Sequence, residues 1–459
     1  DVPYLADRRM GLFLSLALAG LCLGIALTAG APAASARREL PSGLRTDICG
    51  SISTDDTWTA AQSPVNVTCD AALLPGVTLD IQPGVEVRFT AGVSLTISGT
   101  LRALGLPSQP ITFTSGLESP APGDWNGLHF VAGSSDSSLA WCVVEYATVG
   151  VVVLAHTGDT VSPGFTDCIV RHNSARGIQI EGAARGCIQG LAQPTITGCL
   201  VEENGGAEDH GCGIYGYGHG HPTEACSEFK AGCVGGTVSG NEIRHTQASG
   251  ICLQAQPERE GVDHGDVWTS IEANVIWDNG EHGVHLYGDD PVRPRIENNL
   301  VYGNTGAGVQ SDAKHAETDL YVVNNTVYDN GGHGLVFNRS ALLVGLTNNI
   351  VTGNGGYGLV CGTGEHPLAS HNDLWGNAGG EYYICTPGLS DISVDPLLLD
   401  PAAGDFHLAF GSPCIDAGTN TGAPATDIEG SARPQGGGVD IGAHEQGYWR
   451  LYLSVILRE

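Results

Sequence analysis

The sequence predicts an all-β solenoid, a chain wound into stacked parallel coils, and three observations carry that prediction. First, near-copies recur: residues 296–309 read IENNLVYGNTGAGV, 322–335 read VVNNTVYDNGGHGL, and 346–359 read LTNNIVTGNGGYGL. Second, the spacing is regular. Asn274, Asn299, Asn325, Asn349 and Asn372 recur every 23 to 26 residues, and five positions after each stands Asn279, Asn304, Asn330, Asn354 or Asn377. Four further on, the first four units carry Gly283, Gly308, Gly334 and Gly358. A period of this size marks a repeat architecture. Third, the apolar residues inside each unit alternate, so the segments are short strands rather than helices. Turn-forming Gly, Asn and Asp separate them. Three short strands and three turns make one coil, and coils stack about 4.8 Å apart, the strand spacing of a sheet.

Taken in chain order, the N-terminus reads as a processing segment. Arg8 and Arg9 precede the apolar run GLFLSLALAGLCLGIALTAG, and APAASA ends at Ala36 as a small-residue cleavage site. Residues 1–36 are expected to be a signal peptide, which makes the mature chain secreted or cell-surface. No other stretch is apolar for long enough to span a bilayer. Residues 37–71 are expected to be an N-terminal cap or linker. From residue 72, LPGVTLDIQPGVEVRFTAGVSLTISGT alternates strand-like runs with Pro-Gly and Gly turns, and the coils are expected to run to 385.

The register persists backward with substitutions. Asn241 leads to Thr246 and Gly250, Cys168 to Asn173 and Gly177, and Cys199 to Asn204 and, after an insert, Gly213. Stacked identical coils place identical side chains above one another. An inward Asn then donates to the Asn of the next coil and accepts from the one before, which satisfies buried amides that are costly unpaired. Cys142, Cys168 and Cys199 continue that column as small apolar core residues. Ile276, Val301, Val327, Val351 and Leu374 are expected to fill the core, and the recurrent Gly to supply a turn conformation that a side chain would forbid.

Fourteen cysteines, one of them in the signal segment, leave an odd number in the exported chain. Export permits disulfides. Cys49 with Cys69 and Cys361 with Cys385 are expected local pairs. Cys187, Cys212, Cys226 and Cys233 are expected to pair within an irregular insert, in a connectivity left open. The histidines of that insert, His210, His219 and His221, have no standard zinc spacing. With 20 Lys and Arg against 50 Asp and Glu, the formal net charge of −30 disfavours nucleic acid as a partner.

On these residues the chain resembles the right-handed, single-stranded parallel β-helix superfamily that includes pectate lyases, over roughly 72–385. A second resemblance follows. ISVDPLLLDPAAGDFHLAFGSPCIDAGTN and TDIEGSARPQGGGVDIGAHE resemble the choice-of-anchor Q region that follows such helices in exported bacterial proteins. That implies a cap over 386–445, locked by Asp416, Asp427, Asp440 and Arg433 through charge-assisted hydrogen bonds at the end of the solenoid, with residues 446–459 as a tail.

Chemistry on a solenoid sits on outward columns. After each turn Gly the first outward column is Gln179, Tyr215, Cys252, His285, Gln310 and Val336, and the second is Glu181, Tyr217, Gln254, Tyr287, Asp312 and Asn338. Adjacent coils should gather the candidate catalytic set His285, Asp312, Lys314 and His315, with Tyr215, Tyr217, Tyr287 and Arg339 as substrate-binding residues. Asp289 and Asp290 are candidate calcium ligands, although no cofactor is required. A second stripe, Trp277, Tyr302, Tyr328 and Trp375, is a candidate platform for sugar rings. Aromatic, carboxylate and imidazole groups suit a sugar chain, whose repeat of about 5 Å is close to the coil spacing.

Enzyme motifs do not follow. Gly218-His219-Gly220, Asp289-Asp290 and Arg295-Ile296-Glu297 are reminiscent of polygalacturonase fragments, but their order is reversed and Glu297 stands where a Lys belongs. A lyase base would have to come from Lys314, His315, Arg293 or Arg339. The expected function is therefore binding of a polysaccharide or cell-envelope component by a monomer without catalysis. The alternative is a polysaccharide lyase or glycoside hydrolase.

Overall fold

A computed structural model of the chain describes residues 47–185, 188–206, 211–221, 232–257, 265–313, 319–338, 343–362 and 367–447. The expected signal segment, Cys187, His210, Cys226, Lys314, His315, Arg339 and most of the tail lie outside the described residues.

The chain is a right-handed parallel β-helix. One coil runs through Arg295–Glu297, Leu300–Tyr302 and Val309–Ser311. Each strand pairs in parallel with its counterpart one coil on, without slippage. Leu300, Val301 and Tyr302 face Thr326, Val327 and Tyr328, while Val309, Gln310 and Ser311 face Leu335, Val336 and Phe337. These two strand columns, the first and second sheets of the helix, are joined through Val65–Leu73 into one 24-stranded network, and Arg295–Glu297 belongs to a third, 12-stranded sheet. Pairing begins earlier than expected. Asp47–Ile52 already lies parallel to Val65–Leu73, so the first coil starts inside the segment read as a cap or linker. Among the described residues no helix is long and apolar enough to cross a membrane.

Two corners per coil use the left-handed backbone region. Before the first ladder residue stand Ala273, Asn298, Asn324, Asn348 and His371, with φ between 53° and 59°; before the second stand Asp278, Gly303, Asp329 and Gly353. Asn, Asp and Gly tolerate this conformation best, which accounts for the pairs Asn-Asn, Asp-Asn and Gly-Asn. The first residue turns the corner and the second points inward.

The inward amides form two continuous ladders. In the first, Nδ2 of Asn274, Asn299, Asn325 and Asn349 donates to Oδ1 of the Asn one coil on, at 2.9–3.0 Å. The backbone N–H of each donates to the same oxygen. The second Nδ2 proton goes to a carbonyl of the preceding coil, as from Asn325 to Ile296 at 2.8 Å. The parallel ladder runs Asn279, Asn304, Asn330, Asn354 and Asn377. Both chains of donors end on carboxylates, which only accept. Asn372 donates to Asp391 at 3.0 Å and Asn377 to Glu381 at 2.7 Å. Cys142, Cys168 and Cys199 are free and buried, and Cys199 N–H donates to Asn241 Oδ1 at 2.8 Å, so the cysteines do continue the first column.

The recurrent Gly has a different reason from the one expected. Gly283, Gly308, Gly334 and Gly358 do not have positive φ. They are sites of close approach: a Cβ on Gly308 would lie 2.4 Å from Val327 Cγ1 and 2.9 Å from the Gly334 carbonyl oxygen. The core valine of the next coil occupies that space.

The C-terminal segment also departs from expectation. It folds back along the flank of the helix, over the corner between the third and first sheets. Asn298 Nδ2 donates to Thr426 O at 2.7 Å, Asn324 Nδ2 to Asp440 O at 2.9 Å, and Asn348 Nδ2 to Thr419 O at 2.9 Å. Within it, Arg433 pairs with Glu445 at 3.0 Å, both side chains buried, and donates to the carbonyls of Gly442 and Ala443. The side-chain carboxylates of Asp416, Asp427 and Asp440 do not bond Arg433, which meets Asp440 at its backbone carbonyl, at 3.3 Å. They accept backbone N–H groups, Asp440 from Asp416 at 2.7 Å and Gln446 at 2.6 Å, and Asp427 from Ser431 and Glu445.

Asp373 is buried under this segment, accepting Cys414 S–H at 3.1 Å and Val394 N–H at 3.2 Å. Burial pushes its carboxyl up to about 6, against smaller lowering by those two bonds.

Two outcomes are expected. Asn325→Ala leaves Asn299 N–H and Nδ2 without an acceptor and should cost about 2–4 kcal/mol in denaturant unfolding, whereas Asn66→Ala, on an exposed amide, should cost under about 0.5 kcal/mol. Asp373 has a raised folded pKa, so the folded state holds its proton longer than the unfolded chain. Its contribution is present below about pH 4 and fades as pH rises through about 6. Asp373→Asn should flatten the fall in melting temperature across that window; an unchanged slope would refute the assignment.

Candidate functional site

The outward columns of the second sheet are in the register read from the sequence. Gln179, Tyr215, Cys252, His285, Gln310 and Val336 are successive pairing partners, and Glu181, Tyr217, Gln254 and Tyr287 form the next column. Beside them lies a groove of about 710 Å³ lined by Gln254, Gln256, Tyr287, Gly288, Asp289, Asp312 and Asn338.

Asp312 is the polar centre of the groove. Its carboxylate meets His285 Nε2 at 3.1 Å and accepts Gln310 Nε2 at 3.0 Å and Asn338 Nδ2 at 2.7 Å. The bond to His285 comes first among the causes that hold this carboxyl well below the usual range, against the opposing effect of burial. An acid so placed stays ionised and binds protons weakly. His282 packs on His285 at 4.9 Å. Its Nδ1 accepts Ala307 N–H at 2.9 Å, and burial, then the neighbouring His285, lower its pKa. Burial pushes the Tyr287 phenol up to about 12, so it is a neutral hydroxyl.

Toward the earlier coils the floor is aromatic. Tyr215 and Tyr217 lie 6.1 Å apart, and Tyr217 stacks on His219 at 4.6 Å. His219 Nε2 sits 3.0 Å from Glu181. Burial raises the Glu181 carboxyl, but His219 and Gln179 outweigh that and leave it lowered. Arg176 lies 4.1 Å over the Tyr215 ring, and Tyr215 O–H donates to Gln254 at 2.5 Å. A disulfide joins Cys212 to Cys252 beneath these rings. Cys49–Cys69 and Cys361–Cys385 are bonded as expected. Cys212 does not pair inside its own insert, and Cys233 is buried. Cys252 stands in the outward column one coil beyond Tyr215, which was the available signal.

The other expected sites separate. Asp290 is buried and accepts Gly265 N–H at 2.7 Å, whereas Asp289 lines the groove, so the two carboxylates do not face one site. Arg293 is paired with Asp266 at 2.5 Å. In the aromatic stripe, Trp277 stacks on Tyr302 at 5.7 Å, and Phe406 of the C-terminal segment covers Tyr302 at 4.7 Å and Tyr328 at 5.6 Å. Tyr302 and Tyr328 are therefore docking residues of that segment rather than a sugar platform. Trp375 remains exposed and borders a smaller groove of about 260 Å³ with Tyr328 and Pro396. Sequence reasoning missed Gln256 and Arg176, whose roles depend on rotamers across coils.

No curated protein sequence matches the chain. Residues 231–374 match the family described as a right handed beta helix region. That stretch is a right-handed β-helix region. Solved structures with a similar course include the pectate lyase Pel9A, at 16% identity over 82% of this chain and 89% of that chain, with a TM-score of 0.49. The periplasmic alginate epimerase AlgG has 14% identity over 74% and 83%, with a TM-score of 0.42. The A-module of the Azotobacter vinelandii mannuronan C-5 epimerase AlgE6 has 14% identity over 74% and 91%, with a TM-score of 0.43. All three scores lie under one half, and the β-helix assignment rests on the strand register and the family match.

Cys212–Cys252 closes a loop of 40 residues, for which chain entropy predicts about 4 kcal/mol at most. Cys252→Ser should lower stability by about 2–4 kcal/mol and loosen the Tyr215 cluster, read as faster hydrogen exchange in residues 214–217. Exchange as slow as in the parent would count against that role.

Proposed function

We propose that this is an exported β-helix protein that binds an extended polysaccharide along the groove of the second sheet, without catalysis. The state of Asp312 carries the reading. Its bonds to His285, Gln310 and Asn338 hold it ionised, so it is a poor proton donor and a weak base. The rest of the lining, Gln254, Gln256, Tyr287 and Asn338, offers amide and hydroxyl groups that suit sugar hydroxyls. Successive coils offer them at about 4.8 Å, near the repeat of a glycan chain. The disulfides fit a protein matured in an oxidising compartment, in line with a secreted or cell-surface place. Calcium at Asp289 is an optional addition and is tested alongside by chelation.

Affinity electrophoresis and titration calorimetry against neutral and uronate-bearing glycans test this. Retention on at least one glycan is expected, and Gln254→Ala with Asn338→Ala should weaken it about tenfold, or ~1.4 kcal/mol. No unsaturated or epimerised product should form on prolonged incubation. Product formation abolished by His285→Ala would replace this reading with the enzyme alternative, and failure to bind any glycan would refute both.

A further inference from the structure

The C-terminal segment holds a cluster unrelated to the groove. Strand Asp405–Leu408 alternates its side chains, so Phe406 and Leu408 are buried while His407 points to the other face. There it meets Glu429, from the turn after Asp427, and His444, near the end of the described chain. Each of the three offers one ligand atom, and these atoms lie within 4.8 Å of one another. The two imidazole rings are 4.0 Å apart.

The details favour a cation over an internal polar contact. His407 Nδ1 is bonded to Asp405 Oδ1 at 2.7 Å, which leaves Nε2 as the free lone-pair nitrogen. A carboxylate behind an imidazole is the usual outer support of a metal-bound histidine. His407 Nε2 faces Glu429 Oε2 at 3.3 Å without meeting a hydrogen-bond partner. His444 is only 7% exposed, and its Nδ1 is likewise buried with no partner. A buried, unbonded imidazole nitrogen is otherwise a cost that native proteins avoid. Glu429 is partly exposed and gives an ion a way in from solvent.

We propose that His407, His444 and Glu429 form a binding site for a divalent transition-metal ion, zinc above all, with Asp405 supporting His407. Two imidazoles and one carboxylate suit zinc, with ligand bonds of about 2.0–2.2 Å and a fourth position open to water. Calcium wants an all-oxygen shell and does not fit. The three ligands lie about 15 to 22 residues apart along the chain, so the ion ties the hairpin, the turn and the end of the segment together. Its role is to hold the segment in the form that docks on Asn298, Asn324 and Asn348.

The test uses the full exported chain without a polyhistidine tag. Zinc chloride is titrated by calorimetry, with metal content and melting temperature as further readouts. One Zn²⁺ per chain is expected, with a melting temperature that falls on chelation and recovers on adding zinc. Co²⁺ in the same site should show ligand-field absorption. His444→Ala should weaken binding at least a hundredfold and Glu429→Gln about tenfold, while His129→Ala leaves it unchanged. Glu429→Gln is a surface change, so it keeps the test valid if His444→Ala folds poorly. The proposal is overturned if the parent takes up no stoichiometric zinc, or if Glu429→Gln and His129→Ala bind as the parent does.

Discussion

The structure depends on one constraint: each buried Asn amide must hand its protons to an acceptor that the neighbouring coil supplies. Asn325 Oδ1 accepts both the Nδ2 and the backbone N–H of Asn299, so side chain and main chain of successive coils are tied at the same point. A coil cannot slip in register without stranding several buried polar groups at once, each costly. The run of donors also needs an end. Asp391 and Glu381 provide it, because an ionised carboxylate accepts without donating. Everything on the outer faces, the groove included, inherits its alignment from these inner columns.

The Asn-Asn pairs serve two masters. The second Asn builds the ladder, and the first, held in the left-handed region, turns the corner and faces outward. Asn298, Asn324 and Asn348 then spend their amides on backbone carbonyls of the C-terminal segment. The segment thereby reads the coil spacing directly, through three outward amides in a row. Phe406 adds an apolar anchor between Tyr302 and Tyr328, and buried Arg433, with Glu445 and three carbonyls around it, ties the fold-back of the chain onto itself. The segment covers a flank of the helix and leaves Tyr302 and Tyr328 of the aromatic stripe half-buried.

The groove and the segment follow opposite electrostatic logics. In the groove, donors surround Asp312 and keep it charged. Under the segment, burial outweighs the few donors available to Asp373 and raises it. Two carboxylates on one solenoid are set apart by how many N–H groups reach them, and that number is decided by which coil and which flank each one occupies.

Much of this was legible in the residues alone. The interval of 23 to 26 residues, the inward Asn and Cys columns, and the outward pairing of His285 with Gln310 and Tyr287 with Gln254 all follow from counting, because a parallel coil repeats its geometry at every turn. Counting fails where the chain leaves the repeat. The role of Gly308 is a collision with a valine one coil away, the partner of Cys212 stands 40 residues on, and Tyr302 is covered by a ring more than a hundred positions later in the chain. The sequence by itself determined the period, the ladders and the facing columns, since these rest on interactions between equivalent positions. Only the tertiary structure decided which flank the C-terminal segment covers and which carboxylates stay charged, since these rest on contacts between positions that no repeat relates.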